Sequence, residues 1–196
     1  MDFVASLPSP LSSRSRDFLA IWNDWRRGRM LPEHRDMDLE ALGSLAQTSL
    51  LLNVRGHDNI SIDWVGEAVT QQLGVNLAGL NYLDLTSREN RSWRAHLTIA
   101  QVAQPCCAVI YYWLRLGQGG VLPVEIVSAP IRQDGDQNAS QMLCSISFLT
   151  RRKRVPEGEA IDPDSYEEGE GMRFIDIGAG IPSMVPSQRQ ETRPVQ

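Results

Sequence analysis

Cys106–Leu116 (CCAVIYYWLRL), Val121–Ile131 (VLPVEIVSAPI) and Gln141–Leu149 (QMLCSISFL) decide the fold of this chain. The first two runs are rich in β-branched and aromatic residues, and the third is mostly apolar. Gly117-Gln118-Gly119-Gly120 separates the first pair, and Gln133-Asp134-Gly135-Asp136 with a short polar extension separates the second. Runs of this kind, bounded by Gly and Asp clusters, are antiparallel strands joined in a meander. In the last of them Met142, Cys144, Ile146 and Phe148 share one face, because successive strand side chains alternate. Leu143 and Leu149 point the other way, and Tyr112 and Leu114 oppose Tyr111 and Trp113. Apolar residues on both sides predict a sheet that is covered on both faces.

Toward the N-terminus the pattern continues. Ser49–Val54 is a short apolar run, Arg55–Asn59 is turn chemistry, and Ile60–Val65 alternates with period two. Together they predict a β-hairpin. Glu67–Leu73 reads as a short helix closed by Gly74, followed by a glycine-punctuated stretch to Asp84. Arg88–Ala103 is a longer helix that stops before Pro105. At 100° per residue, Trp93, His96, Leu97, Ile99, Ala100 and Ala103 fall on one arc, opposite Arg91, Arg94, Thr98 and Gln101. The apolar arc is the expected inward face.

The first fourteen residues, with two prolines and four serines, read as a flexible leader. Ser15-Arg16-Asp17 offers a helix start, and Phe18, Ile21, Trp22 and Trp25 then recur at helical spacing up to Gly28. That helix is too short to stand alone, so its aromatic stripe must dock on something. After Thr150 the texture changes again. Arg151-Arg152-Lys153-Arg154 is basic, Glu157–Glu170 holds seven acidic residues, and a short apolar run, Phe174–Gly178, precedes a Pro/Gln/Arg tail. The expected organisation is a leader and flanking helix over 1–30, a sheet domain over 31–150, and a charged linker and tail over 151–196.

The whole chain is 196 residues, 42% hydrophobic and 22% charged, with a net charge of −5. These values suit one globular domain with extensions and argue against a nucleic-acid partner, since no overall basic footprint is present. The four-residue basic run, followed at once by acid, reads as a solvated linker. No run of 18 apolar residues suggests a membrane span, and no secretory signal opens the chain. Three cysteines, two of them adjacent, do not make a disulfide framework, so a reducing cytoplasm is the expected compartment.

Two strands, short helices, one long helix and three meandering strands is the order found in PAS domains. The segment Trp22-x-x-Trp25-Arg26-x-Gly28-Arg29-x-Leu31-Pro32, followed by Arg35-Asp36-x-Asp38, resembles the opening of a PAS-like family common in alphaproteobacteria. Gly66, Gly74-Val75-Asn76-Leu77-x-Gly79 and the Gln104-Pro105 break also fit that family, and Phe174–Gly180 matches a tail motif. The resemblance covers about residues 15–155. It implies an α+β fold, a five-stranded antiparallel sheet with helices on one face, an N-terminal amphipathic helix and an extended tail. It further implies a non-enzymatic bacterial module for signal transduction, which takes a small ligand or a protein partner and relays the signal by contact. The alternative is a protein-interaction adaptor with a filled core.

On that resemblance the candidate cavity-lining residues are Trp64, Leu73, Tyr82, Trp93, His96, Leu97, Tyr111, Trp113 and Ile126. Some PAS domains take a haem ligand from the long helix, where His96 stands. One histidine does not define such a site, and a hydrogen-bonded, half-buried histidine without haem is expected. A covalent flavin needs a cysteine in the turn before that helix. Gly79–Thr86 has none, which excludes it. Cys106 and Cys107 point to opposite faces of a strand and cannot chelate one metal, and no metal site is expected. Gly-x-Ser-x-Gly and His-Glu-x-x-His are absent, and catalytic residues are expected to be none. Ile177-Gly178-Ala179-Gly180 is followed by too little chain, with Pro182 in it, for a dinucleotide fold. Phe18, Ile21, Trp22 and Trp25 are the candidate seam of a homodimer, with the same chain's own sheet as the competing docking surface.

Overall fold

The computed structural model describes residues 3, 7, 11–86, 88, 90–115, 121–149 and 172–183, with the backbone alone at 112–115 and 121. The basic run 151–154, the acidic run 157–170 and most of the first ten residues lie outside the described residues. Helix α1 (Ser13–Arg26) comes first, capped by Ser12, whose hydroxyl accepts from the Ser15 N–H. A 3₁₀ turn (His34–Asp36), the one-turn helix α2 (Leu39–Leu42) and a second 3₁₀ segment (Gly43–Thr48) lead to the hairpin β1 (Ser49–Gly56) and β2 (Asn59–Val65). Then come α3 (Glu67–Leu73), a 3₁₀ turn (Tyr82–Leu85) and α4 (Arg91–Ala103). The meander β3 (Cys106–Arg115), β4 (Val121–Arg132) and β5 (Ala139–Phe148) follows, and finally β6 (Met172–Asp176).

The sheet is antiparallel throughout, in the order β2-β1-β5-β4-β3-β6. Five of these strands are those the sequence predicts. The sixth comes from the tail motif, which was expected to stay extended outside the sheet. Instead Cys106 pairs with Asp176, and Ile110 with Met172. A five-residue apolar run is too short to declare its partner from sequence, and here it closes the free edge of β3.

Both faces are covered, as the two-sided apolar pattern requires. Helix α4 lies against β1, β3 and β5 on one face, and α1 lies on β4 and β5 on the other. Phe18, Leu19 and Trp22 are fully buried there, and Trp22 Nε1 donates to Pro130 O at 3.1 Å. The leader contributes too. Phe3 packs its ring on Trp22 with centroids 6.0 Å apart, and Leu7 and Leu11 join the core. The charged residues of the opening motif fix the loop after α1. Arg29 binds Asp36 and Glu33, while Glu33 also binds Arg35 and, from β4, Arg132. Pro32 O accepts from Arg132 N at 3.0 Å. Thus α1, from segment 1–30, and β6, from segment 151–196, both pack into the sheet of the central segment.

Gly66 joins β2 to α3 where the chain crosses the second 3₁₀ segment. A Cβ there would lie 2.2 Å from Ala46 O and 2.4 Å from Gln47 O, so only glycine passes.

A polar cavity under the long helix

Helix α4 is turned nearly opposite to expectation. Its buried residues are Arg94, Ala95, Thr98, Gln101 and Val102, an i, i+1, i+4, i+7, i+8 stripe. His96 and Ala103 are exposed, while Trp93, Leu97, Ile99 and Ala100 are half-buried. The small Ala95 and Val102 let the helix sit close to the sheet, and the inward polar groups find partners. Arg94 Nη1 donates to the Tyr82 hydroxyl at 2.7 Å, and its guanidinium carbon lies 5.5 Å from the Tyr82 ring centroid. Thr98 Oγ1 donates to Arg94 O at 3.0 Å, and Ser128 Oγ donates to Gln101 Oε1 at 2.7 Å, joining α4 to β4. Hydrogen-bonded in this way, polar side chains can be buried where a polar arc alone predicts exposure.

These groups converge on a cavity of about 30 Å³. Its polar wall is Tyr82, Arg94, Thr98, Gln101 and Ser128, and its apolar wall includes Leu52, Leu97, Ile110, Ile126, Met142 and Cys144. Burial pushes the Cys144 thiol up to about 12, so at neutral pH it is a small apolar group.

Of the nine candidate lining residues, the cavity gathers Tyr82, Leu97 and Ile126. Leu73 is in the core elsewhere, and Trp64 is half-buried on β2. Tyr111 lies on the opposite sheet face, paired across the ladder with Glu125. Its phenol is raised by burial, then by its hydrogen bond to Glu125 and by that carboxylate's charge, while Arg173 acts the other way. Trp113 pairs with Pro123 in the backbone ladder, and its side chain lies outside the described residues. Trp93 and His96 stack on each other at 6.2 Å, and His57 of the hairpin turn stacks on His96 at 6.5 Å. This ring stack is at the surface, so His96 does not line the cavity as expected. The sequence did not mark Arg94, Thr98 and Gln101, because a helical wheel ranks polar residues outward, nor Ser128, a lone small polar residue in an apolar strand. The usable signal was slight: Ala95 and Val102 are a small and a β-branched residue on the edge of the wheel that carries Thr98.

The proposed dimer seam is corrected in the same way. Phe18, Trp22 and Trp25 are at most 7% exposed within the subunit, and Ile21 is half-buried, so the stripe is spent on the chain's own sheet.

An antiparallel sheet carrying its long helix and short helical turns over a small cavity defines a PAS-type α+β domain. A family model described as PAS domain matches residues 11–147, and the chain belongs to that family. PAS domains serve as sensory or interaction modules. No curated protein matches the chain. Among the described residues no helix is long and apolar enough to cross a membrane, and no group of three or more His, Cys, Asp or Glu is placed to hold a metal ion.

Proposed function

We propose that this chain is a non-enzymatic sensory module that takes a small polar ligand between α4 and the sheet and relays its presence by protein contact. The observation behind this reading is the inward polar face of α4. A core built only for stability is served as well or better by apolar residues of similar volume. Here an Arg, a Thr and a Gln point at a Tyr and a Ser across a small space. The Arg94 guanidinium brings a positive charge to that wall, which suits a small ligand whose carbonyl or carboxylate oxygens exchange for hydrogen bonds now made within the wall. The partner is expected to be a signalling protein, and the site of action the cytoplasm.

A second reading, an interaction adaptor with a filled core, draws on the cavity's volume of about 30 Å³. The two separate by experiment. Protein purified without denaturation is analysed by native mass spectrometry, and its stability is compared with Thr98→Val/Gln101→Leu. Sensing predicts a bound small molecule, or a thermal shift with a small carboxylate or carbonyl compound, that the double variant loses. A wild type that binds none of these, with a double variant at least as stable, overturns sensing in favour of the adaptor.

A further inference from the structure

The tail motif takes no part in the cavity, yet it is held from two directions. After β6, Ile177 O accepts from Arg26 Nη2 of α1 at 3.1 Å. Two residues on, Ala179 O accepts from Nε2 of Gln104, the C-cap of α4, at 3.0 Å. These helices lie on opposite faces of the sheet, so one loop reads the C-terminal ends of both. The loop's own shape comes from Asp176, whose Oδ1 accepts from Gly178 N at 2.7 Å and Gly180 N at 2.9 Å. Gly178 and Gly180 have φ of +113° and +78°, a region open to glycine. The fit at Gly180 is close: a Cβ there would lie 2.8 Å from Gln104 Nε2. Ile175 and Ile177 are each 5% exposed and anchor the segment in the core.

We propose that residues 172–180 form a releasable latch, held closed in part by the C-terminal ends of α1 and α4, so that displacing either helix raises the share of molecules in which β6 is free of β3. The segment is a five-residue edge strand, and edge elements with few buried side chains open at lower free energy than the whole domain. Each clamp is a single side-chain-to-carbonyl bond, worth about a factor of five in the closed–open equilibrium. Opening leaves the main chain of Cys106–Ile110 unpaired along the sheet edge. Gln104 stands one turn beyond the cavity residue Gln101, so movement of α4 reaches the latch directly. The latch itself rests on the loop geometry and not on the ligand reading.

The chain carries its own reporters. Cys106 and Cys107 pair with Asp176 and Ile175, whereas Cys144 lies on β5, away from β6. The test uses the full chain as wild type, Gln104→Ala, Arg26→Gln and Gly180→Ala. Alkylation by iodoacetamide is read at each thiol by peptide mass spectrometry, and amide exchange is read at 106–110, 172–180 and 141–146. Each of the first two variants is expected to raise Cys106/Cys107 labelling and exchange at 106–110 and 172–180 about fivefold. Gly180→Ala, which also strains the backbone, is expected to raise them further. Cys144 labelling and exchange at 141–146 should stay at wild-type rates. Silence in either clamp variant, or a parallel rise at Cys144 and 141–146, overturns the latch.

Discussion

Glu125 offers the sharpest test of how the N-terminal helix is held. Its side chain projects from β4 under the start of α1 and is 2% exposed. Both carboxylate oxygens accept from Ser12 N, at 3.2 and 3.3 Å, and Oε1 also accepts from the hydroxyls of Ser12, at 2.6 Å, and Ser15. Ser15 is itself fully buried. Glu125→Ala therefore strands the buried Ser15 hydroxyl and the partly buried Ser12 N–H, at about 1–3 kcal/mol each, and takes its partner from the half-buried Tyr111 phenol. It also removes an anion from a helix N-terminus, worth about 0.3–1 kcal/mol and more when desolvated. Relief from burying the charge offsets part of this loss. We expect a net loss of about 3 kcal/mol, which in a chain of this size lowers Tm by roughly 6–12 °C. Urea unfolding followed by tryptophan emission reads it, since Trp22 and Trp25 both sit on α1. In a double-mutant cycle with Ser15→Ala the coupling should exceed about 1 kcal/mol. The Tyr111 phenol, held up partly by Glu125, should titrate lower in Glu125→Gln, read by absorbance of the phenolate. A loss below about 1 kcal/mol with no coupling would refute the idea that this carboxylate clamps α1.

Gly66→Ala should destabilise by about 3 kcal/mol or more, at the top of the overpacking range, because the new methyl meets two backbone carbonyls that cannot turn aside; chemical denaturation checks this. Asp36 is held below the ordinary carboxyl value of 3.8. Burial opposes this, but the Glu33 N–H, the Arg29 hydrogen bond and the charges of Arg29 and Arg27 outweigh it. Its folded value being depressed, its contribution is complete above about 3.8 and is lost as pH falls through the lower folded value. Asp36→Asn should accordingly lower stability at pH 7 and flatten the acid limb below pH 4, measured by unfolding at stepped pH. Burial first, and then Asp176, push the Cys106 thiol up to about 12, so wild-type protein at pH 8 should take up iodoacetamide at this thiol far more slowly than unfolded protein.

Much of the fold was legible because strand period and turn chemistry are local. The hairpin 49–65 and the three long strands follow from alternation and from Gly and Asp clusters, and the register leaves Met142 and Cys144 on the cavity side, as their spacing required. The misreadings concern partners, which are not local. Phe18, Trp22 and Trp25 announce a docking stripe, but nothing in the stripe says whether the surface that receives it belongs to the same chain. Arg94, Thr98 and Gln101 look solvated on a wheel, and only Tyr82 and Ser128, from other elements, make their burial tolerable. Phe174–Asp176 is a strand because β3 has an edge to pair with, and that edge exists only once the meander is formed.

The docking of α1 also has a kinetic side. Trp22 meets Pro130 across 108 residues of sequence, and Ser15 meets Glu125 across 110. Contacts this distant in sequence make folding slow, because a long loop must close before they form. A ribosome adding about 5–20 residues per second leaves α1 waiting roughly 5–20 s for the strand that receives it. Throughout that interval the aromatic stripe Phe18, Trp22 and Trp25 has no native surface to cover. Its first encounters during synthesis are therefore with whatever apolar surface or chaperone is nearest, so a helix made early finds its place only after the meander is made.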